Sequence, residues 1–455
     1  ANVFPKNSFY RVENTEEEEK RPRLHHGLES WDDGTRSGMK RLAMLHTNVA
    51  ALTKEFANVE RMMPTEKRLL RGMRRLTADA VEFYVCSAFK VCFADVARLE
   101  HAEDWTADAS TPSITKLPGK FSAIVENVLT SIDSATPDEK PQWMVELIAA
   151  PFVETTRLMS DVLHSLAFSS SRRGAPDSTM GPAYAAHPAS PARKGRLNEG
   201  GAVGLMGEEE SRKVLVVLSN AMHLQRRVLP LLWDKFLSII PDKYHDVLEP
   251  ELAGVAGLYA TLARMVTDAY IRSTALGLGD FITRGLMTSG RDWSAKKPVT
   301  KVREYVMELL LELVLVYDDV MGIAKPWVHK VMQTLLWMIS DNFYSLLRTV
   351  GKFCATGALQ IYVEIEFVRR VLGSFESPAS RDTLRGIRSY LERHMMSSTD
   401  GDLKLTAEDI ITKAVRFSCA HPHTHNTTRH NTTQHAQNTK PSDASLVVSL
   451  FVCFL

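Results

Sequence analysis

Cysteine is scarce in this 455-residue chain. The five, Cys86, Cys92, Cys354, Cys419 and Cys453, follow no framework. Cys86 and Cys92 lie six apart inside an apolar run, which suits neither a zinc knuckle nor a CxxC redox pair. They read as reduced core thiols, which fits the cytosol. An excess of one charge sign is also missing, since 55 Lys and Arg face 54 Asp and Glu for a net charge of +1. That balance argues against a chain-wide nucleic-acid or membrane-surface role, which needs a strong basic excess. Local basic patches stay open. Strand pairs are absent, because the β-branched runs are short. No fixed-period repeat of the solenoid kind occurs. The N-terminus has no Met and no apolar signal core, and its Glu16–Glu19 run is unlike an export signal. Residues 1–37 therefore read as a disordered or truncated segment of something longer.

Catalytic motifs are equally thin. H-E-x-x-H, G-x-S-x-G and a phosphate loop ending in Gly-Lys-Ser/Thr do not occur. Gly277 and Gly279 lack the third glycine of a dinucleotide turn, and no strand precedes them. His164, His223, His245 and His329 stand alone on helical patterns. The tryptophans Trp143, Trp233, Trp293, Trp327 and Trp337 read as core and bundle packing. No catalytic, cofactor-binding or metal-ligating residue is singled out, and neither enzyme activity nor a cofactor is expected.

What the chain has is helical periodicity, with hydrophobic residues at 44% and charged residues at 24%, ordinary for a soluble globular protein. Leu42, Leu45, Val49, Leu52, Phe56, Val59 and Met63 alternate in steps of three and four, an a/d seam over three heptads. The seam suits either a partner helix outside this chain or the next helix of the same bundle. That next helix is expected over 78–99, with Pro64 to Leu76 as the break. Between Phe121 and Leu166 two or three helices follow, separated by the turn TPDEKP. Residues 169–211 hold seven glycines, four prolines and almost no large apolar side chain, so they cannot bury enough surface to offset ordering entropy. A disordered linker is expected over 169–212, with a helical domain over 38–168 and another over 213–400. Breaks are expected at Pro241 and Pro250. Lys325-Pro326 opens a helix to about Val350, and two more lie near 359–372 and 380–396. A short helix or extension is expected over 401–420. The 421–455 tail, with five of the fifteen histidines, reads as low-complexity sequence, and the final SLVVSLFVCFL is shorter than the about twenty residues a span needs.

One stretch tests three readings at once. EYVMELLLELVLVYDDV, from Glu304 to Val320, is apolar enough to evoke a membrane span yet carries five acids. Glu304, Glu308 and Glu312 recur every four residues, forming one narrow acidic ridge on an otherwise apolar helix. Carboxylates near the middle of a span would each cost roughly 2.5–3.5 kcal/mol. The pair Asp318–Asp319 evokes the magnesium-binding helices of isoprenoid synthases, but Gly322 stands where a third acid is required. The pair reads instead as the solvated end of a helix that Gly322 breaks. The fold expected is all-α, an elongated rod of stacked helical bundles with a disordered linker and tail.

Three segments carry a resemblance. LVVLSNAMHLQRRVLPLLWDKF (Leu215–Phe236), RDWSAKKPVTKVREYVMELLLELVLVYDDVMGIAKPWVHKVMQTLL (Arg291–Leu336) and GALQIYVEIEFVRRVL (Gly357–Leu372) occur in the order seen in exocyst complex component 2. The chain resembles the middle-to-C-terminal part of that family over roughly 213–396, more loosely over 38–166. It departs at Val316–Val320, which reads VYDDV where the family commonly has Val-His-Ala-Glu-Val, and in its long linker and tail. The resemblance implies a subunit of the eight-protein complex that tethers secretory vesicles to the plasma membrane before SNARE-mediated fusion. It implies a rod of helical bundles with a coiled-coil segment that pairs with another subunit. Other exocyst subunits are the expected partners, with small GTPases and SNARE proteins reached through the complex and no nucleic acid. The expected location is cytoplasmic, peripheral at plasma-membrane sites of exocytosis. The strand pattern of a GTPase-binding immunoglobulin-like domain is missing, so GTPase binding is not carried over. A helical subunit of a Golgi or endosomal tethering complex is the nearer alternative, an all-α magnesium enzyme of isoprenoid type the farther one.

Overall fold

The computed structural model describes residues 36–109, 111–137, 140–168, 207–288, 293, 298–350, 353–395 and 403–419. The segments expected as a disordered N-terminus, most of the linker and the tail lie outside the described residues. Among those described, the fold is all-α, and the only β feature is an isolated bridge between Ala107 and Thr115. No helix there is long and apolar enough to cross a membrane.

The helices are α1 (Arg36–Met62), α2 (Lys67–Arg98), α3 (Leu117–Ala135), α4 (Gln142–Phe168), α5 (Glu208–His223), α6 (Leu229–Ser238), α7 (His245–Thr283), α8 (Glu304–Ile323), α9 (Val328–Thr349), α10 (Ala355–Val371), α11 (Pro378–Met395) and α12 (Leu403–Cys419). Single π-helical turns, Leu224–Val228 and Arg284–Thr288, follow α5 and α7, so α5 runs into α6 without interruption. The expected turn TPDEKP does separate α3 from α4, and Lys325-Pro326 sits in a 3₁₀ turn leading into α9.

Three boundaries differ from expectation. The break at Pro64 is only the short turn between Met62 and Lys67, and α2 starts eleven residues before Ala78. Leu70, Met73 and Thr77 supply an inward face there, with Leu70 and Thr77 buried. Pro250 lies inside α7 rather than ending a helix. Pro151 likewise lies inside α4, where the Thr155 hydroxyl donates to its carbonyl at 2.8 Å. Tertiary burial along both helices outweighs the roughly 3 kcal/mol that an interior proline costs. Finally, α5 opens at Glu208, inside the stretch expected as linker, and Glu210 reaches back to the Gly207 amide as in a capping box.

The described residues form two compact units, one falling within Ala1–Ala94 and Ser131–Asp138, the other within Asp95–Thr130 and Glu139–Leu455. In the second, α7 is the axis. Helices α4, α5, α8 and α9 pack on it, α11 packs on α9 and α10, and α12 on α10. Tyr259 of α7 is fully buried and donates to the Thr156 carbonyl of α4 at 2.8 Å, while Phe152 of α4 stacks on Phe236 of α6 at 4.3 Å. The low-apolar stretch 169–206 therefore does not separate two cores: α4 before it and α5 after it share one.

Candidate functional site

The helix α1 presents the seam. Val49 is buried at 2% exposure; Leu42, Leu45, Leu52, Phe56 and Val59 are half-buried; and Met63 lies past the end of α1 and is exposed. Beside the seam, at seven-residue intervals, His46, Thr53 and Glu60 tie α1 into its own unit. His46 shares a hydrogen bond with Ser134 at 2.9 Å and its ring meets Tyr84 at 5.7 Å. Thr53 donates to the Ala135 carbonyl of α3 at 3.4 Å, and Glu60 pairs with Arg74 of α2. Tyr84 is buried beneath this contact, and burial pushes its phenol up to about 12 against the opposing hydrogen bond from Ser131. The seam is thus partly claimed from within along its Val49 edge. Its Leu45, Leu52 and Val59 edge keeps accessible apolar surface.

The acidic ridge of α8 stands as expected: Glu304 and Glu308 are exposed, Glu312 is half-buried, and Val306, Leu309, Leu310 and Leu313 are buried. Asp318 is exposed, but Asp319 is not a solvated helix end. Two guanidinium nitrogens of Arg212, on α5, donate to one of its carboxylate oxygens at 2.8 and 3.0 Å, and α8 continues through Gly322 to Ile323. Among the described residues no group of three or more His, Cys, Asp and Glu could hold a metal ion. The isolated histidines have local roles: the His245 ring meets the Leu237 and Ile240 carbonyls at 3.2 and 3.0 Å, and His329 lies against Phe375.

The tryptophans expected in the core sit at its margin. Trp143, Trp233, Trp293 and Trp327 are half-buried and Trp337 is 41% exposed. Indole N–H groups favour partners, and two find them there: Trp293 donates to the Leu286 carbonyl at 3.2 Å and Trp327 meets the Met222 sulfur, whereas the Trp233 N–H is buried without one.

Two features escape sequence reading. The first is a buried ion pair: Arg303, before α8, grips Glu364 of α10, with Tyr305 donating to the same carboxylate at 2.8 Å and Gln360 at 2.8 Å. Glu364 is fully buried, and the guanidinium lies 4.7 Å from the Trp293 ring centre. Burial alone would lower the basicity of Arg303, but the carboxylate and Tyr305 leave it raised above the ordinary arginine value. The second is the basic opening of α2, hidden because Pro64 to Leu76 reads as a break. The spacing of Lys67, Arg68, Arg71, Arg74 and Arg75 is its sequence signal.

Among the described residues an all-helical fold, distinguished by helix faces and structural ion pairs, defines a helical-bundle protein. The chain belongs to the Sec5 family of exocyst components: the family model "Exocyst complex component Sec5" matches residues 37–417. It is similar to the human protein named exocyst complex component 2, at 22% identity over 342 residues, 75% of this chain and 36% of that relative. It is 26% identical to exocyst complex component SEC5B of Arabidopsis thaliana over 196 residues, 42% of this chain and 18% of the relative. It is 23% identical to exocyst complex component 2 of Drosophila melanogaster over 229 residues, 49% of this chain and 25% of the relative. The chain spans about a third or less of the length of these relatives. No solved structure matches it at the stringency met by these relatives.

Proposed function

We propose that this chain acts as a non-catalytic helical subunit of the exocyst, helping to hold secretory vesicles at the plasma membrane before membrane fusion. The observation that carries the reading is the family match, which runs through almost every described helix. The arrangement supports it: of the two acids that evoke metal chemistry in the sequence, Asp319 is engaged structurally by Arg212. Apolar surface on α1 suits a partner helix from another exocyst subunit, with Leu42, Leu45, Val49, Leu52, Phe56, Val59 and Met63 as the seam. Holding several weak partners on one scaffold raises the effective concentration of the fusion machinery without bond chemistry. Small GTPases and SNARE proteins are reached through the assembled complex, at the cytoplasmic face of the plasma membrane.

Affinity purification of the tagged chain from its own cells, followed by mass spectrometry, is expected to recover other exocyst subunits. Recovery of Golgi or endosomal tethering subunits in their place would overturn the reading. The pair Leu45→Arg with Leu52→Arg is expected to lower the recovery of partners several-fold. Unchanged recovery would remove the seam from the proposal and leave the family assignment in place.

A further inference from the structure

Six basic and only two acidic residues lie between positions 60 and 76, in a chain whose overall charge is nearly balanced. The structure turns most of this stretch outward. Arg61, Lys67, Arg68, Arg71, Arg74 and Arg75 are all exposed, as are Met62, Met63, Leu69 and Leu76 at 71, 49, 48 and 58%. Among the described residues, only one of the six is committed to a carboxylate: Arg74 pairs with Glu60. Arg71 donates to the Lys67 carbonyl, and Arg61, Lys67, Arg68 and Arg75 have no acidic partner among the described residues.

The geometry of the outward face is specific. At about 100° per residue, Lys67, Arg71, Arg75 and Arg68 fan across roughly a quarter of the helix circumference. Leu76 and Leu69 follow on the adjoining arc, and Leu70 and Thr77 point the other way, into the unit. Gly72 lies between the basic and apolar arcs, and a side chain there would meet nothing within 4 Å. The exposed half of the helix is therefore itself amphipathic, cationic on one side and aliphatic on the other. Its first turn contains no acid and carries Lys67 and Arg68 at the positive end of the helix dipole. A helix arranged for its own stability would place carboxylates there, so the arrangement concentrates positive potential on an open surface.

We propose that the first three turns of α2, with Met62 and Met63 before them, dock on an anionic lipid surface. The basic arc would meet lipid phosphates and carboxylates, and the leucine arc would enter the headgroup boundary, the division found in interfacial helices. An acidic partner helix fits less well. Leu69 and Leu76 are one heptad apart and the exposed stripe ends with them, because the next positions on that arc, Ala80 and Phe83, are half-buried and Ser87 is buried. A helical seam needs three or more heptads. This site lies apart from the exocyst seam of α1 and goes beyond that reading, since it gives the chain a direct contact with the membrane.

The test is sedimentation of the full chain with phosphatidylcholine vesicles, with and without phosphatidylserine. The chain is expected to bind only the vesicles containing phosphatidylserine and to be released steeply as salt is raised. At about fivefold per basic group, Arg68→Gln with Arg71→Gln and Arg75→Gln is expected to weaken binding roughly a hundredfold. Leu69→Gln with Leu76→Gln is expected to weaken it without changing the salt slope. Helical circular dichroism checks that the variants are folded, and the salt dependence of the unmodified chain tests the proposal without any variant. Equal binding to both vesicles, no binding, or binding that neither set of substitutions alters would overturn it. Capture by an acidic helical peptide with no vesicle binding would also overturn it, in favour of a protein partner. None of these results bears on which subunits co-purify, so the exocyst reading stands or falls separately.

Discussion

A buried guanidinium is tolerable only while its donors have acceptors, and Arg303 shows what that requires. It has Glu364 on one side, the Gly285 carbonyl at 3.3 Å, and the faces of Trp293 and Tyr305 around it. Removing the arginine strands a fully buried carboxylate, so Arg303→Ala is expected to destabilise the protein by about 3–5 kcal/mol in urea unfolding. Replacing both partners with Met is expected to restore much of that loss, because the stranded charge is then gone as well. Tyr84 makes a pH prediction of definite sign. Its folded pKa is raised, from 10.0 to about 12, so the native state favours the neutral phenol. The resulting stability is fully present below pH 10 and drains away as pH rises toward 12. Burial also raises the phenols of Tyr259 and Tyr270, which reinforces the trend. The melting temperature is expected to fall across that window, and more gently in Tyr84→Phe.

At the scale of the element, the close approaches are made by glycines. Gly285, in the π turn after α7, lies directly beneath the Tyr305 ring, and Gly279 of α7 faces the Asn342 side chain of α9, where a Cβ would stand 2.7 Å from its nitrogen. Gly285→Ala is expected to destabilise by about 1–3 kcal/mol, read by thermal melting, because the ring is held by its hydrogen bond to Glu364 and cannot easily move aside. Element boundaries also show where sequence is informative. TPDEKP and Lys325-Pro326 are legible because turn and helix-start chemistry is local. Pro250 and the start of α2 are not, since packing on distant helices decides whether a proline or a run of arginines continues a helix. The α1 seam is legible from its period, but its half-burial is not, because His46 and Glu60 find partners 88 and 14 residues away. The Arg212–Asp319 and Arg303–Glu364 pairs span 107 and 61 residues and leave no local trace.

For the whole molecule, composition locates a stretch poor in large apolar side chains but says nothing about which helices share a core. Residues 169–206 separate α4 from α5 in the chain, yet Arg157 of α4 reaches Glu251 of α7 at 3.2 Å, and α4 packs on both α5 and α7. The packing of α4 on α5 and α7 predicts that covalent continuity between residues 168 and 207 is dispensable for that core. Polypeptides 1–168 and 207–455, made separately in one cell, are expected to find each other and co-elute as a single particle on gel filtration. A protease that cuts only between them should leave a nicked protein that comes apart in detergent but not in buffer.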